Sequence, residues 1–244
     1  MKAIFKREFN AYFKTPLGYV FVGLFFAFAA LMFFNFNINA NTSIMTNYFV
    51  NLGYIFIVIV PLLTMKMFSE ERKLKTDQLL LTAPVKVKDI VLGKFLSGLS
   101  VLGISVAITL VFLVVLAIYG NPPEIQSLVG YFGIILYGAM LISIGMFIST
   151  LTQNQVIAAV LTMAIVGVLT FSGSANFDFT TALGGKLVFL GNFLNGIINF
   201  IDVNARFYDF AQGVLNVVPI VYYLSITALF ILLTVSVIER RRWR

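Results

Sequence analysis

"FLSGLSVLGISVAITLVFLVVLAIY", residues 95–119, runs for twenty-five residues without a charge. A helix of that length extends about 37 Å, enough to cross a hydrocarbon core of roughly 30 Å. Comparable apolar stretches recur at about 17–34, 48–67, 128–150, 156–172 and 218–238. A helix in a soluble core needs a polar face, and these stretches mostly lack one. The whole chain is 60% hydrophobic and 11% charged, with a mean hydropathy of +0.97, whereas soluble domains carry roughly 25% charged residues. The expected fold is an all-α polytopic membrane protein with six transmembrane helices, forming a single domain over residues 1–244. The basic start before the first apolar run resembles a leader, but the run is too long for one and reads as a retained helix.

The charges sort by side. Lys2, Lys6, Arg7 and Lys14 precede the first span. Lys66, Arg72, Lys73, Lys75, Lys86, Lys88 and Lys94 lie between the second and third, and Arg240, Arg241, Arg242 and Arg244 follow the last. Fifteen of seventeen basic residues therefore fall on one face, leaving Lys186 and Arg206 for the other. The positive-inside rule predicts that both termini and the 69–94 segment face the cytoplasm of a cell (inner or plasma) membrane. The net charge of +7 is then a topology signal with some attraction for anionic lipid, and nucleic acid is not an expected partner.

Residues 2–14, "KAIFKREFNAYFK", predict an interfacial helix within 1–16. Ile4, Phe5, Phe9, Tyr12 and Phe13 share one half of the helical wheel; Lys6, Arg7, Asn10 and Lys14 share the other, and Glu8 is the exception. Pro16 and Gly18 break the helix before the first span. Gly145 and Ser149 stand at small-xxx-small spacing and predict close helix packing. Residues 173–217 hold apolar runs too short to cross, punctuated by Gly184, Gly185, Gly191 and Gly196. They read either as a re-entrant helical hairpin before the last span or as an amphipathic extracytoplasmic loop.

Several chemistries are absent from the sequence. The chain has no cysteine and no histidine, which removes thiol catalysis, Cys/His zinc sites and a His general base. Gly93-Lys94 is followed by Phe95 and Gly185-Lys186 by Leu187, so no nucleotide-binding P-loop is present. Spans one and three to six show no Asp, Glu, Lys or Arg at mid-depth, where ion-coupled carriers and proton pumps place them. No catalytic, cofactor or metal residue is expected, and the chain is not read as an enzyme.

The densest charge lies in "SEERKLKTDQLLLTAPVKVKDIVLGKF", residues 69–95. Ser69 suits a helix cap, Glu70 and Glu71 suit the positive end of the dipole, and about three helical turns are predicted before Pro84. Composition leaves two readings of this segment: a solvated loop whose leucines meet lipid, or a docking knob for a cytoplasmic partner.

The same segment resembles the coupling loop of ABC-2-type ABC transporter permeases, in which "EER-x-x-G-T-x-E-L-L-L-T-S-P-V" precedes "IVLGKFL". Glu70, Glu71, Arg72, Thr76, Leu79, Leu80, Leu81, Thr82, Pro84, Val85 and residues 90–96 match; Lys75, Gln78 and Ala83 replace the usual glycine, glutamate and serine. "FKREFNAYFKTPLGYVF" (5–21), "ISTLTQNQVIAAVLT" (148–162) and "VYYLSITALFILLTVSVIERRRW" (221–243) are similar to the same family, nearest its gliding-motility-type branch.

The resemblance implies a permease paired with a second permease subunit, as homo- or heterodimer, and driven by separate cytoplasmic P-loop ATPase subunits that carry the ATP-Mg. It implies a coupling helix over 69–83, with Glu70, Glu71, Arg72, Thr76, Gln78, Leu79, Leu80 and Leu81 as ATPase-coupling residues. Phe5, Phe9 and Phe13 are the interfacial-helix residues. Export is the usual direction in the family. The competing functions are a mechanotransmitting ABC complex that moves no solute, acting on an extracytoplasmic accessory protein, and a passive channel or carrier.

Overall fold

The computed structural model describes residues 1–76, 85–119, 124–171 and 203–242. In chain order the helices are α1 (Lys2–Lys14), α2 (Pro16–Phe33, closing in a π turn at Phe34–Ile38), α3 (Thr46–Thr64), α4 (Ser69–Lys73), α5 (Val87–Tyr119), α6 (Glu124–Leu151), α7 (Gln155–Phe171), α8 (Val203–Ala211) and α9 (Val217–Arg242). No strand occurs among the described residues. Thr15 takes an extended backbone, φ −101° and ψ 156°, and breaks α1 from α2. Pro16 then opens α2 at the position where a missing N–H is harmless.

Among the described residues five helical stretches are long and apolar enough to span a membrane: Pro16–Ile38, Thr46–Lys73, Val87–Tyr119, Ile125–Leu151 and Val217–Arg241. The remaining predicted span, 156–172, corresponds to α7, which is apolar and is described over 17 residues. The third span differs most from expectation. It starts at Val87, not at residue 95, and its 33 residues reach about 50 Å. It is therefore longer than a ~30 Å core, and its first turns carry Lys88 and Lys94.

Helix α6 is the hub, packed by α3, α5, α7, α8 and α9. Gly145 behaves as its spacing predicts: a Cβ there would lie 2.4 Å from Thr64 Oγ1 and 3.0 Å from Thr162 Cγ2, so only glycine lets α3 and α7 close on α6. Buried hydroxyls in the spans bond back to carbonyls of their own helices, as Thr64 does to Val60 and Thr162 to Ala158. Between helices, Tyr137 Oη lies 3.0 Å from Thr170 Oγ1, and Tyr131 donates to the Thr109 carbonyl at 2.9 Å.

The pairing of Thr170 with Tyr137 sets the last described turn of α7 against the middle of α6. The half of that face toward the start of α6 is taken by α8. The Phe207 ring lies tilted against Tyr137 with centroids 5.5 Å apart, Asn204 donates to the Thr170 carbonyl, and Tyr223 donates to the Val203 carbonyl at 2.9 Å. At the other end of α8, Gln126 donates to the Ala211 carbonyl at 3.3 Å and to Thr46 Oγ1 at 2.9 Å. Helix α8 thus climbs beside α6 from Tyr137 to Gln126, eleven residues or about 16 Å of axis. The greater part of the predicted hairpin, residues 172–202, lies outside the described residues.

Candidate functional site: an ion cluster under the charged segment

Lys94 belongs by sequence to the basic set that orients the chain, yet its neighbours in that set behave differently. Lys86 and Lys88 are exposed, whereas Lys94 is 1% exposed. An ammonium taken out of water is costly unless charged partners replace its hydration. Lys94 has two: Nζ lies 2.9 Å from Glu71 Oε1 and 3.0 Å from Glu8 Oε2. Arg7 closes the group from the rim, 2.6 Å from Glu8 Oε1 and 3.4 Å from Glu71 Oε1. The Phe68 ring lies 5.1 Å from the ammonium. Two cations thus balance two carboxylates, contributed by α1, α4 and α5.

The Glu8 carboxyl shows the balance of forces. Burial pushes its pKa up, but Lys94 and Arg7 together outweigh burial and hold it below 4.5. Burial, with the charge of Glu8, pushes the Tyr12 phenol well up, and that hydroxyl donates to the Leu63 carbonyl at 3.1 Å.

Packing brings α1 close enough for these bonds. Gly93 sits beneath it, and a Cβ at that position would meet Ile4 Cγ2 at 2.9 Å and the Phe5 nitrogen at 3.3 Å. Ile4, Phe9, Tyr12 and Phe13 pack half-buried against the bundle, while Lys2, Lys6, Arg7, Asn10 and Lys14 point outward. Phe5, Phe9 and Phe13 form a ring ladder, with centroids 5.8 and 5.1 Å apart, that continues to Tyr19 at 5.6 Å. The predicted wheel is therefore present, and part of its apolar half rests on protein.

Helix α4 differs from its prediction at both ends. Ser69 does not cap it with its own side chain, which instead donates to the Met65 carbonyl. The cap comes from α6: Ser149 Oγ accepts the backbone N–H of Phe68 and of Ser69, each at 3.1 Å, and donates to the Met65 carbonyl at 3.3 Å. Ser149 is thus more than the small packing residue its spacing suggests. The predicted three turns also stop after Lys73. Lys75 takes a left-handed φ of 57°, its N–H bonds to the Arg72 carbonyl at 3.2 Å, and the Thr76 N–H bonds to the Glu71 carbonyl at 2.9 Å. This pair of bonds is the Schellman C-cap, whose left-handed position favours glycine. Sequence propensity missed the stop because lysine is a good helix former, although the family pattern of the coupling loop has glycine at this place.

The predicted coupling residues separate accordingly. Glu71 points inward to Lys94. Arg72 donates to the Thr150 carbonyl at 2.9 Å, and Arg241 of α9 donates to the same carbonyl. Glu70 lines a cleft of about 110 Å³ between α1 and the end of α3, together with Glu8, Tyr12, Thr15 and Lys66. Thr76 is exposed, its hydroxyl 3.3 Å from the Glu71 carbonyl. Gln78, Leu79, Leu80 and Leu81 lie outside the described residues. Sequence reasoning missed Lys94, Glu8 and Ser149. No group of three or more potential metal ligands occurs among the described residues.

No curated protein matches the chain. Residues 2–243 match the family described as ABC-2 family transporter protein, which takes in nearly the whole sequence. With its apolar helices of spanning length, the chain belongs to the ABC-2 family as a multi-pass membrane component of an ABC transporter.

Proposed function

We propose that the chain is the permease subunit of an ATP-driven ABC exporter in the cell membrane, of the gliding-motility-type branch. Its termini and charged segment face the cytoplasm, two permease subunits pair, and separate P-loop ATPase subunits dock on residues 69–83. Residues 173–217 form the re-entrant segment, a reading favoured by the position of α8 beside the outer half of α6. One observation carries the coupling role: α4 is fastened to α1 and α5 through Glu71 and to α6 through Ser149 and Thr150. A segment so held passes a push to three helices at once, whereas a loop tethered only at its ends would absorb it. ATP-driven rearrangement of the partner would then bias the permease between two arrangements. Glu71 and Arg72 serve coupling by fixing the shape of the segment, and Glu70, Thr76, Gln78, Leu79, Leu80 and Leu81 are the proposed contacts to the ATPase.

The test is a mild-detergent pull-down of the tagged chain from its native host, with mass spectrometry and an ATPase assay. A P-loop ATPase should co-purify, and its recovery should fall when Leu79, Leu80 and Leu81 are replaced by aspartate. A chain that comes down without any nucleotide-hydrolysing partner would make the passive channel or carrier the better reading. An ATPase-bound complex that moves no solute in vesicles would favour the mechanotransmitting one.

A further inference from the structure

We propose that Glu8 and Lys94 are positioning residues that lock α1 to the coupling segment, so that α1 moves with α4 as one body. The inference rests on the coupling role proposed above and adds a moving part to it.

The apolar contacts of α1 are non-directional. Ile4, Phe9 and Phe13 would keep much of their burial if α1 slid or rolled on the bundle. Ion pairs at 2.9–3.0 Å on a buried ammonium do not tolerate such a slip, because one step leaves a charge unpaired. The cluster therefore sets the register of α1. A lysine serving only to orient the chain needs no burial, and Lys86 and Lys88 show the exposed alternative within eight residues. A lysine serving only to fill space would be replaced well by leucine or methionine. Burial between carboxylates of two other elements is the arrangement that joins them: Glu8 holds α1 to Lys94, and Lys94 holds Glu71 of α4. Glu8 is the link to break. Without it Lys94 keeps Glu71, so α4 and α5 stay joined, while α1 is left with only the longer Arg7–Glu71 contact at the exposed rim, 3.4 Å, and is loosened.

The native absence of cysteine allows a direct test in the full-length chain. Spin labels at N10C and K73C report the α1–α4 distance by pulsed electron resonance. The parent should give one narrow distribution, and E8A should give a broad or bimodal one. In the ATPase complex isolated from the native host, E8A should lower substrate- or lipid-stimulated ATP hydrolysis by roughly tenfold without loss of the ATPase subunit. A positional role predicts rescue by any other tie. In I4C/G93C the two Cβ atoms face each other, since a Cβ built on Gly93 lies 3.2 Å from that of Ile4, so the bridge closes once α1 lifts by a few tenths of an ångström into the roughly 3.5–4.5 Å range of a disulfide. Adding that pair to E8A should restore stimulation when oxidised and lose it again on reduction.

A narrow, unchanged distance in E8A overturns the lock. A broadened distance with normal stimulation overturns its role in coupling. If the parent itself brings down no ATPase, the proposed function fails, while the distance measurement still decides whether Glu8 and Lys94 hold α1.

Discussion

The hydroxyl of Ser149, near the end of α6, accepts the N–H groups of Phe68 and Ser69 from eighty residues earlier in the chain, each at 3.1 Å. Capping interactions of this kind contribute about 1–2 kcal/mol. S149A should lower the unfolding temperature in detergent and speed tryptic cleavage after Lys73. An unaltered cleavage rate would show that α4 holds its shape without the cap.

Lys75 carries a side chain where the left-handed backbone favours none. Relieving it with K75G should stabilise the turn by about 1 kcal/mol. Hydrogen exchange reads this directly: the Thr76 amide, bonded to the Glu71 carbonyl, should exchange about fivefold more slowly. K75A, which keeps a Cβ, should change it little.

The Glu8 pKa lies below 4.5 in the folded chain, where it faces Lys94 of α5, Glu71 of α4, Arg7 of its own helix and the Tyr12 phenol. A depressed carboxylate pKa gives stability that is present above the unfolded value and lost as pH falls through the folded one. The N10C–K73C distance should therefore hold steady at neutral pH and broaden only as the pH falls below the ordinary glutamate range. E8A should show no further change there on this account.

Tyr223 satisfies the Val203 carbonyl at the deep end of α8. Y223F removes the second bond of a carbonyl that still accepts the Phe207 N–H within α8, and should cost about 0.5–1.5 kcal/mol. The loss should appear as a lower unfolding temperature, and as faster amide exchange in Val203–Ala211 than in α6. Uniform exchange would place the anchorage of α8 elsewhere.

Orientation can be read with single cysteines. N41C, after the π turn, should react with a membrane-impermeant maleimide in intact cells, and K73C only once the membrane is opened. The reverse pattern would invert the topology drawn from the basic residues.

Much of this architecture was legible from hydropathy, because a span is specified by length and apolarity alone. The start of α5 was not. Val87, Lys88 and Asp89 read as loop, but a helix longer than the bilayer continues wherever packing supports it, and α1 supports it here. The site was half-written in the sequence as two anomalies: Glu8 on the apolar side of α1, and Lys94 inside "IVLGKFL". Each is an unmatched charge, and each answers the other. Nothing local joins positions 8 and 94, so the pairing emerges only when Gly93 lets the helices touch. Ser149 is less legible still, since a serine at packing spacing looks the same whether or not its oxygen serves another element.

Thr150 offers one carbonyl to two guanidinium groups, Arg72 and Arg241. Both arginines, like Lys94, belong to the basic set from which the positive-inside rule predicts the orientation of the chain. On that prediction the same side chains are used twice, first while the protein is being threaded into the bilayer and again as fasteners once it has folded. Neutralising one of them can fail at either moment. A defect in such a variant belongs to the finished transporter only after its orientation in the membrane has been measured, and biogenesis becomes a step to assay in its own right.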